Sequence, residues 1–344
     1  MNDGVARRPR IAVDAMGGDH APLEIVEGAL LAQGEGFADI ILVGDRERIA
    51  PLLHGEAALT LQVVHAPSAV PMDQNPSQAL RSADQTSLGV AVTMVRDRTA
   101  DAVVSAGNSG AFLAIGLIRL RTIEGIDRPA IATVWPALHG PTVMLDAGAN
   151  VDCRAEWLEQ FGIMGSAYAR AVLKIENPRV AILSVGEERS KGNAQVILAA
   201  KRLERAPINF VGNIEGKDIL INVADVIVAD GFVGNVVLKV AEGAVSVLSQ
   251  IIRTSILQGN LITKLGAVLM RPALNRLRTR FDYETYGGAP LLGLRGDCIV
   301  THGRASRLAV KSACRAAAEE VRGDVVGKIA GMVSPAPFVP SSFS

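Results

Sequence analysis

Aromatic residues are scarce in this chain. Phe, Trp and Tyr make up 4% of the 344 residues, whereas hydrophobic residues reach 49%. The core must therefore be built mainly from Ala, Val, Ile and Leu, a composition typical of α/β layering, in which aliphatic strands lie beneath Ala-rich helices. The length is compatible with one large domain or with two ordinary ones.

Neither an excess of one charge nor a cysteine framework is present. Lys+Arg and Asp+Glu are both 35, so the formal net charge is +0, and no global basic field would attract nucleic acid. The three cysteines, Cys153, Cys298 and Cys314, are far apart and lack metal-ligand spacing. Such a set is typical of free thiols in a reducing cytosol, so we expect a cytoplasmic protein.

Uncharged runs long enough to indicate a signal peptide or a membrane span also do not stand out. The basic N-terminus is not followed by a long apolar stretch, because Asp14 interrupts it, so no signal peptide is expected. The longest uncharged runs, 102–118 and 129–145, contain Gly, Asn, Ser, Pro or His. They predict a strand–loop–helix and paired strands rather than a membrane span of about 20 apolar residues.

Short aliphatic runs recur along the chain and are followed by glycine-rich turns. Segments with helical periodicity separate several of them, such as the one marked by Trp157, Phe161, Met164 and Tyr168. This alternation predicts βα units and a largely parallel sheet with helices on both faces. The runs are 11–13, 40–43, 61–64, 102–104, 130–134, 143–145, 180–185, 226–229 and 298–300.

The loop after run 102–104, with the sequence SAGNSGAF, is a candidate anion site. Ligands of an open parallel sheet bind beyond the carboxyl ends of its strands. A helical stretch, 111–120, follows this small, amide-rich loop, and backbone N–H groups at a helix N-terminus bind anions. The loop has no lysine and no Walker spacing, which excludes an NTPase loop, and a purely structural turn is the alternative. The candidate binding residues are Ser105, Gly107, Asn108, Ser109 and Gly110.

A similar loop follows the first strand, in the stretch IAVDAMGGDHAP (residues 11–22). Asp14 ends the strand, Gly17 and Gly18 let the backbone turn, and a helix is predicted from about Pro22. We expect Asp19 to brace neighbouring loop amides. For Asp14, bracing and direct ligand binding both stay open.

Three further loops, DAGANVDC, GEERSKGN and DGFVGN, follow later strands. Each has a structural explanation, because Asn and Asp cap helices and Glu–Lys pairs are often solvated. Together with the first two loops they predict one crevice lined with amides, acids and a few lysines. The candidate residues are Asp146, Asn150, Glu187, Glu188, Lys191, Asn193, Asp230, Asn235 and Lys239, the last of them expected one turn into the following helix.

Residues 243–281 contain no acid and carry six cations. Apolar residues recur there at helical spacing, and Gly259 and Asn260 predict a turn, so we expect a hairpin of two helices. One interpretation is a dimer interface with a solvated basic edge. The other is a basic amphipathic surface that docks on anionic lipid, and the two can coexist.

The motifs, in this order, resemble the PlsX family of bacterial phosphate acyltransferases. Nine stretches match across residues 11–303, among them DAMGGDHAP, SAGNSGA, GPTVMLDAGANVDC, ADVIVADGFVGNVVLK and YGGAPLLGL. The resemblance implies transfer of a fatty acyl group from acyl carrier protein to inorganic phosphate, giving an acyl phosphate for phospholipid synthesis. It also implies a three-layer α/β/α fold with a mostly parallel sheet, related to phosphotransacetylases and isocitrate dehydrogenases.

The resemblance carries expectations for organisation and partners as well. It implies a single domain over 1–333 with the helical hairpin at about 243–281, a flexible tail at 334–344, and a homodimer with peripheral membrane attachment. A membrane surface and a downstream glycerol-3-phosphate acyltransferase are expected partners. Acyl carrier proteins are acidic, so a basic docking face is expected on this chain. Carrier protein and lipid would then compete for the same basic side chains. The candidates for this face are Arg271, Arg276, Arg278 and Arg280.

Three positions depart from the family pattern. Only Arg81 stands where the family has a lysine-rich run, and the family's His-Gly-Ser stretch reads His302, Gly303, Arg304 and Ala305 here. Ser109 replaces a usual threonine and keeps the hydroxyl. The first two departures weaken any role for those cations or that serine here.

The predicted chemistry needs no strong base, because phosphate is already a nucleophile near neutral pH. The site must position phosphate beside the thioester, stabilise an oxyanion and ease departure of the thiolate. Lys191, Lys239 or His302 could balance the phosphate charge or assist the thiolate, with Asp146 and Asp230 orienting donors. No cofactor or metal site is expected, although a magnesium ion held by dispersed acids stays open.

Two rival functions also remain at this point. A phosphotransacetylase-like enzyme using acyl-CoA would share the same crevice. A non-catalytic membrane scaffold for lipid-synthesis enzymes would use the hairpin and leave the loops unexplained. A nicotinamide dehydrogenase is disfavoured, because no GxGxxG follows the first strand with an acid about 20 residues on.

Overall fold

The computed structural model describes residues 7–281 and 287–333, with side chains for 7–273 and 287–333. The expected tail, 334–344, lies outside the described residues. The strands are β1 (Arg10–Asp14), β2 (Asp39–Gly44), β3 (Gln62–His65), β4 (Ala102–Ser105), β5 (Ala130–Ile131), β6 (Thr133–Ala137), β7 (Gly140–Leu145), β8 (Arg179–Leu183), β9 (Asn209–Ile214), β10 (Val226–Val228), β11 (Ala289–Leu292) and β12 (Asp297–Val300). The α-helices are α1 (Leu23–Glu35), α2 (Arg46–Ile49), α3 (Ala57–Thr60), α4 (Pro76–Ser82), α5 (Ser87–Arg96), α6 (Ser109–Arg119), α7 (Ala155–Ala171), α8 (Ala194–Leu203), α9 (Gly231–Gln258), α10 (Leu261–Phe281), α11 (Arg307–Gly323) and α12 (Val325–Val333).

The first sheet has seven strands in the order β3-β2-β1-β4-β12-β11-β5. Its first five strands are parallel, and β11 runs antiparallel to β12 and β5. Ala12 of the central strand β1 pairs with Ile41 and with Val103, and all three side chains are buried. Such uninterrupted apolar strands are typical of a parallel sheet covered on both faces.

The second sheet has five strands in the order β6-β7-β10-β8-β9. All neighbours in it are parallel except the β6–β7 pair, which is antiparallel, as expected for paired strands within 129–145. The edge strand β5 ties the two sheets together. Ile131 donates its N–H to Asp146 Oδ1 at 3.0 Å and accepts the N–H of Ala147 at 2.8 Å.

Helices cover the sheets and complete the core. Helices α1 and α11 pack with β1, β2 and β4 in one apolar cluster, and α5 and α6 pack in another that also includes Ala12 and Val103. Helix α7 covers the second sheet, and its Phe161, Met164 and Tyr168 are buried, as the periodicity predicted. The predicted α/β class with mostly parallel strands is confirmed.

Several details differ from the prediction. The strands form two sheets, the run 130–134 is divided into β5 and β6, and strands β9 and β11 were not anticipated. The division follows from Ala132, whose N–H bonds to Pro290 O at 2.8 Å, so that the chain leaves the first sheet there and enters the second.

The helical hairpin is longer than predicted. It begins at Gly231 rather than near 243, turns at Gly259–Asn260 as expected, and ends at Phe281. Lys239 and Glu242, the charged residues of this added stretch, pair with each other on the helix surface at 2.8 Å. By length and composition alone, α9 qualifies as a membrane span among the described helices, and 11% of its apolar window is buried. The uncharged runs 102–118 and 129–145, by contrast, form β4 with α6 and the pair β6–β7, as expected.

Candidate functional site

Asp14 and Ser105 meet at the carboxyl ends of two adjacent parallel strands. Ser105 donates its hydroxyl to Asp14 Oδ2 at 2.7 Å and accepts the N–H of Gly107 at 3.0 Å, while Asp14 Oδ1 accepts the N–H of Met16. The Asp14 and Ser105 residues are 2% and 1% exposed. Burial raises the pKa of Asp14, against the lowering effect of its hydrogen bonds. Asp14 therefore braces the loops from beneath.

Two glycines let the loop after β1 approach the loop after β4. A side chain at Gly17 would collide with the Asp14 carboxylate and would lie 2.9 Å from Gly107 N. Gly18 has φ +105°, which is strained for other residues. The N–H of Asp19 bonds to Gly303 O at 2.7 Å and joins the loop after β12 to this group. The bracing expected of Asp19 is provided by its backbone.

The N-terminus of α6 presents free amides to solvent. Asn108 is the N-cap, and its Oδ1 accepts the N–H of Ala111 at 3.0 Å. The first amides of a helix have no intrahelical partner. Here Ser109 and Gly110 occupy those positions, both are exposed, and within the described residues neither N–H donates to a protein acceptor. This is the expected geometry for an anion site.

The Asn108 carboxamide serves the loop rather than a ligand. Its Nδ2 donates to Met72 O at 2.9 Å and to Gln74 O at 2.8 Å, which occupies both amide hydrogens. The side-chain donation to phosphate expected from the sequence would require these bonds to break. The segment 71–74 was not considered in the sequence analysis, since nothing local in it indicates contact with β4.

His302 lies next to this group. Thr301 N–H bonds to Ser105 O at 2.9 Å, which places the following histidine beside the β4–α6 turn. Its ring is exposed, and Nδ1 accepts the N–H of Arg304 at 3.1 Å, an arrangement that leaves the proton of a neutral ring on Nε2.

Asp146 is the corresponding brace of the second sheet. The residue is 0% exposed. Its Oδ1 accepts the N–H groups of Ile131, Gly148 and Ala149, and its Oδ2 accepts both the backbone and side-chain N–H groups of Asn150. Asn150 Nδ2 also bonds to Pro129 O at 2.8 Å. These two predicted site residues are therefore fully engaged in holding the loop.

Asn193 and Asp230 are helix caps that face a common cleft. Asn193 Oδ1 accepts the N–H of Val196 at 2.9 Å at the start of α8, and Asp230 Oδ1 accepts the N–H of Val233 at 2.7 Å at the start of α9. Both caps line the same opening in the second sheet. Asn235 lies one turn further along α9, where its side chain is near Gly148.

The predicted charged residues separate into exposed and paired groups. Lys191 is exposed, and within the described residues its ammonium forms no ion pair. Glu187 is 3.5 Å from the ammonium of Lys217. Lys239 is the ninth residue of α9, more than two turns from Asp230, and pairs with Glu242. The expectation that Lys239 lies one turn into the helix was wrong, because α9 begins at Gly231.

The candidate docking cations lie on α10. Arg271 is exposed, and the side chains of Arg276, Arg278 and Arg280 lie outside the described residues. Across the described part of the chain, no group of three or more His, Cys, Asp and Glu residues is arranged to hold a metal ion.

The sequence profile of a family described as "Fatty acid synthesis protein" matches residues 9–328. A phosphate acyltransferase of Desulforudis audaxviator is 50% identical over 322 residues, covering 94% of this chain and 95% of the relative. The chain belongs to the phosphate acyltransferase family. One from Nostoc punctiforme is 47% identical over 326 residues, covering 94% and 96%. The expected membership of the PlsX family and the assignment as an acyltransferase are thus confirmed.

Solved structures confirm the fold. A phosphotransacetylase from Streptococcus pyogenes superimposes with a TM-score of 0.64 at 17% identity, covering 91% of this chain and 94% of that one. A branched-chain phosphotransacylase from Enterococcus faecalis V583 gives 0.56 at 16% identity, covering 91% and 99%. These likenesses agree with the three-layer α/β/α architecture expected for the phosphate acyltransferase family.

Proposed function

We propose that this phosphate acyltransferase moves a fatty acyl group from acyl carrier protein to inorganic phosphate. The acyl phosphate formed would feed phospholipid synthesis. The observation that carries the proposal is the braced N-terminus of α6, where the amides of Ser109 and Gly110 are exposed and unbonded within the described chain. The names of the relatives support phosphate as the acceptor and acyl transfer as the reaction.

The proposed reaction is a direct substitution at the thioester. A phosphate oxygen attacks the carbonyl carbon, the carbon–sulfur bond breaks, and the carrier leaves as a thiolate that takes a proton from solvent or from a nearby acid. Phosphate esters have a second pKa of about 6, so phosphate near neutral pH is sufficiently ionised to attack without a strong base. The site contributes mainly by holding the two reactants in contact and by stabilising developing charge.

Lys191 and His302 are the proposed charged and proton-bearing groups. Lys191 is exposed and has no acid partner within the described chain, so its charge is available to phosphate or thiolate. His302 stands beside the β4–α6 turn with its ring exposed, which places an imidazole close to a thioester bound at that turn. Lys239 is a weaker candidate because Glu242 already neutralises it.

The identity of the acyl donor can be tested directly. The purified chain would be given palmitoyl-acyl carrier protein or palmitoyl-CoA at the same phosphate concentration, and kcat/KM would be measured for each. We expect the carrier-protein thioester to be preferred at least tenfold. A preference for palmitoyl-CoA would replace the proposed donor with CoA and make the chain phosphotransacetylase-like in substrate as well as in fold.

We also propose that the hairpin docks on a membrane surface or on the carrier protein. Its apolar side chains Leu248, Ile251, Leu265 and Leu269 are each at least half exposed. Changing Arg271, Arg276, Arg278 and Arg280 together to glutamate should weaken binding to anionic liposomes or raise KM for the carrier thioester. If neither changed, both docking roles would be removed. Cytoplasmic location with peripheral membrane contact and a homodimer remain proposals of the same kind.

A pure membrane scaffold is no longer a competitive alternative. It would use the hairpin, but it would not need the Asp14–Ser105 brace or the free amides of α6. Membership of an acyltransferase family, in contrast, accounts for those loops as parts of a catalytic site.

A further inference from the structure

A largely aliphatic cleft of about 330 Å³ opens at the carboxyl ends of β8 and β10. Leu158 of α7 is buried in its wall, and Leu183 and Ala229 contribute from the ends of the two strands. Val196 of α8 and Val233 of α9 form the sides. Ligand pockets of proteins typically measure 300–1,000 Å³ and have mostly apolar linings.

The cleft contains a buried hydroxyl group that the described residues leave without a hydrogen bond. The Oγ atom of Ser184 is buried and has no hydrogen-bond partner among the described residues, whereas Oδ1 of Asn193 and Oδ1 of Asp230 each accept a helix N–H as caps. Gly192 keeps the space beside Ser184 open. A Cβ atom there would lie 3.1 Å from Ser184 Oγ and 2.7 Å from Val196 Cγ1.

We infer that this cleft binds the alkyl chain of the fatty acyl donor, with Ser184 available to the acyl carbonyl oxygen. An alkyl chain that ends in one carbonyl matches aliphatic walls with a single unpartnered hydroxyl. The phosphopantetheine arm of a carrier protein or CoA has two amide groups and a hydroxyl, each of which needs a hydrogen-bond partner when buried, and the walls do not match it. The inference rests on the proposed function, since it assigns a place to that reaction's substrate.

The location favours the same ligand. The cleft lies at the carboxyl ends of parallel strands, where ligands of such sheets bind. Asn193 and Asp230 line it, and Lys191 lies two residues before Asn193. A chain held there would therefore be close to the loop that carries the proposed phosphate- or thiolate-binding lysine.

Narrowing the cleft should shorten the preferred chain. Val196→Phe and Val233→Phe add volume from two different walls, and Leu198→Phe makes the same kind of change at an exposed position of α8 outside the lining. The full chain would be assayed with octanoyl-, dodecanoyl- and palmitoyl-acyl carrier protein. We expect either cleft variant to lower kcat/KM for palmitoyl relative to octanoyl donor at least tenfold, with Leu198→Phe unchanged.

A binding measurement separates this inference from the proposed function. cis-Parinaric acid, a fluorescent long-chain fatty acid, would be titrated into the same variants after circular dichroism has shown that they fold. Weaker binding by both cleft variants, with the control like wild type, would support the cleft even if no acyl phosphate were formed. Unchanged chain-length preference and unchanged parinaric acid affinity in folded cleft variants would overturn the inference and leave the proposed reaction standing.

Discussion

Asp14 and Ser105, 91 positions apart in the sequence, share a 2.7 Å hydrogen bond beneath the β4–α6 turn. The contact exists because β1 and β4 are parallel neighbours in which Val13 is in register with Val104. Ser105 in turn accepts the N–H of Gly107, so the position of the turn depends on a carboxyl group from another strand. The site is thus preorganised by residues that need not touch phosphate.

Removing the Ser105 hydroxyl should damage both the fold and phosphate binding. Ser105→Ala leaves the Gly107 N–H and the buried Asp14 carboxyl each without one partner, and an unsatisfied buried group costs about 1–3 kcal/mol. We expect a loss of that size in urea unfolding, together with a higher KM for phosphate. Ser166→Ala removes a buried hydroxyl that has no partner among the described residues, so it should not lower stability and should leave the KM for phosphate unchanged. An unchanged phosphate KM in Ser105→Ala would show that the brace does not set the turn.

The two roles of Asn108 can be separated by substitution. Asn108→Ala removes the cap of α6 and the bonds to Met72 and Gln74, and loss of an N-cap alone costs about 1 kcal/mol. Asn108→Asp keeps a capping oxygen but loses both donors. We expect both variants to raise KM for phosphate, with the larger loss of stability in Asn108→Ala.

Urea unfolding and phosphate titration of initial rates would measure the two effects. Asp45→Ala removes the cap of α2 and serves as a control that should affect stability alone. If Asn108→Ala bound phosphate as wild type does, the anion site would have to lie elsewhere.

Lys191 should matter for activity and not for stability. It is exposed and forms no ion pair with the described residues, so Lys191→Ala removes few folded-state interactions. We expect kcat/KM to fall about tenfold or more, since tenfold corresponds to about 1.4 kcal/mol of lost transition-state stabilisation. Lys217→Ala, at an exposed lysine paired with Glu215, is the matched comparison and should be near wild type. Equal effects of the two changes would indicate a general charge effect.

Glu320 makes the free energy of unfolding depend on pH. The residue is 1% exposed, and among the described residues neither carboxyl oxygen has a hydrogen-bond partner. Burial first, and the charge of Asp297 second, raise the pKa of Glu320 well above its usual value, and burial together with Asp324 raises the pKa of Asp297 to about 7. The folded protein therefore holds protons that the unfolded chain releases.

The free energy of unfolding should consequently fall as pH rises from the ordinary carboxyl range, about pH 4, through about pH 7 and above. Glu320→Gln should flatten this slope, because a carboxamide does not titrate. Glu319→Gln, at the exposed neighbouring position, should keep the wild-type slope. Urea unfolding of all three proteins between pH 5 and pH 8 gives the comparison, and identical slopes would mean that Glu320 does not control the effect.

The strands that sequence reasoning predicted are those with uninterrupted aliphatic side chains. β1, β2 and β4 are buried on both faces, so their composition alone indicates them. β9 escaped notice because Asn209, Gly212 and Asn213 interrupt it, and as an edge strand it needs less apolar surface. β11 has four residues including Pro290, too few for a periodic signal.

The loops of the site were predicted, but the direction of their side chains was not. Asp146 accepts N–H groups from its own loop and from Ile131, fifteen positions earlier, a contact that depends on how the two sheets join. Asn108 is likewise turned toward carbonyls of segment 71–74. Local sequence spacing shows which polar residues follow a strand. Whether such a residue braces its loop or faces a ligand depends on the hydrogen-bond partner that a distant segment supplies.

The most direct test of the whole account is the stoichiometry of products from palmitoyl-acyl carrier protein. Free carrier thiol and acyl phosphate would be measured together, with and without inorganic phosphate. We predict that both appear only when phosphate is present, and in equal amounts. Release of thiol with free fatty acid, independent of phosphate, would contradict acyl transfer to phosphate and make the crevice a site of thioester hydrolysis.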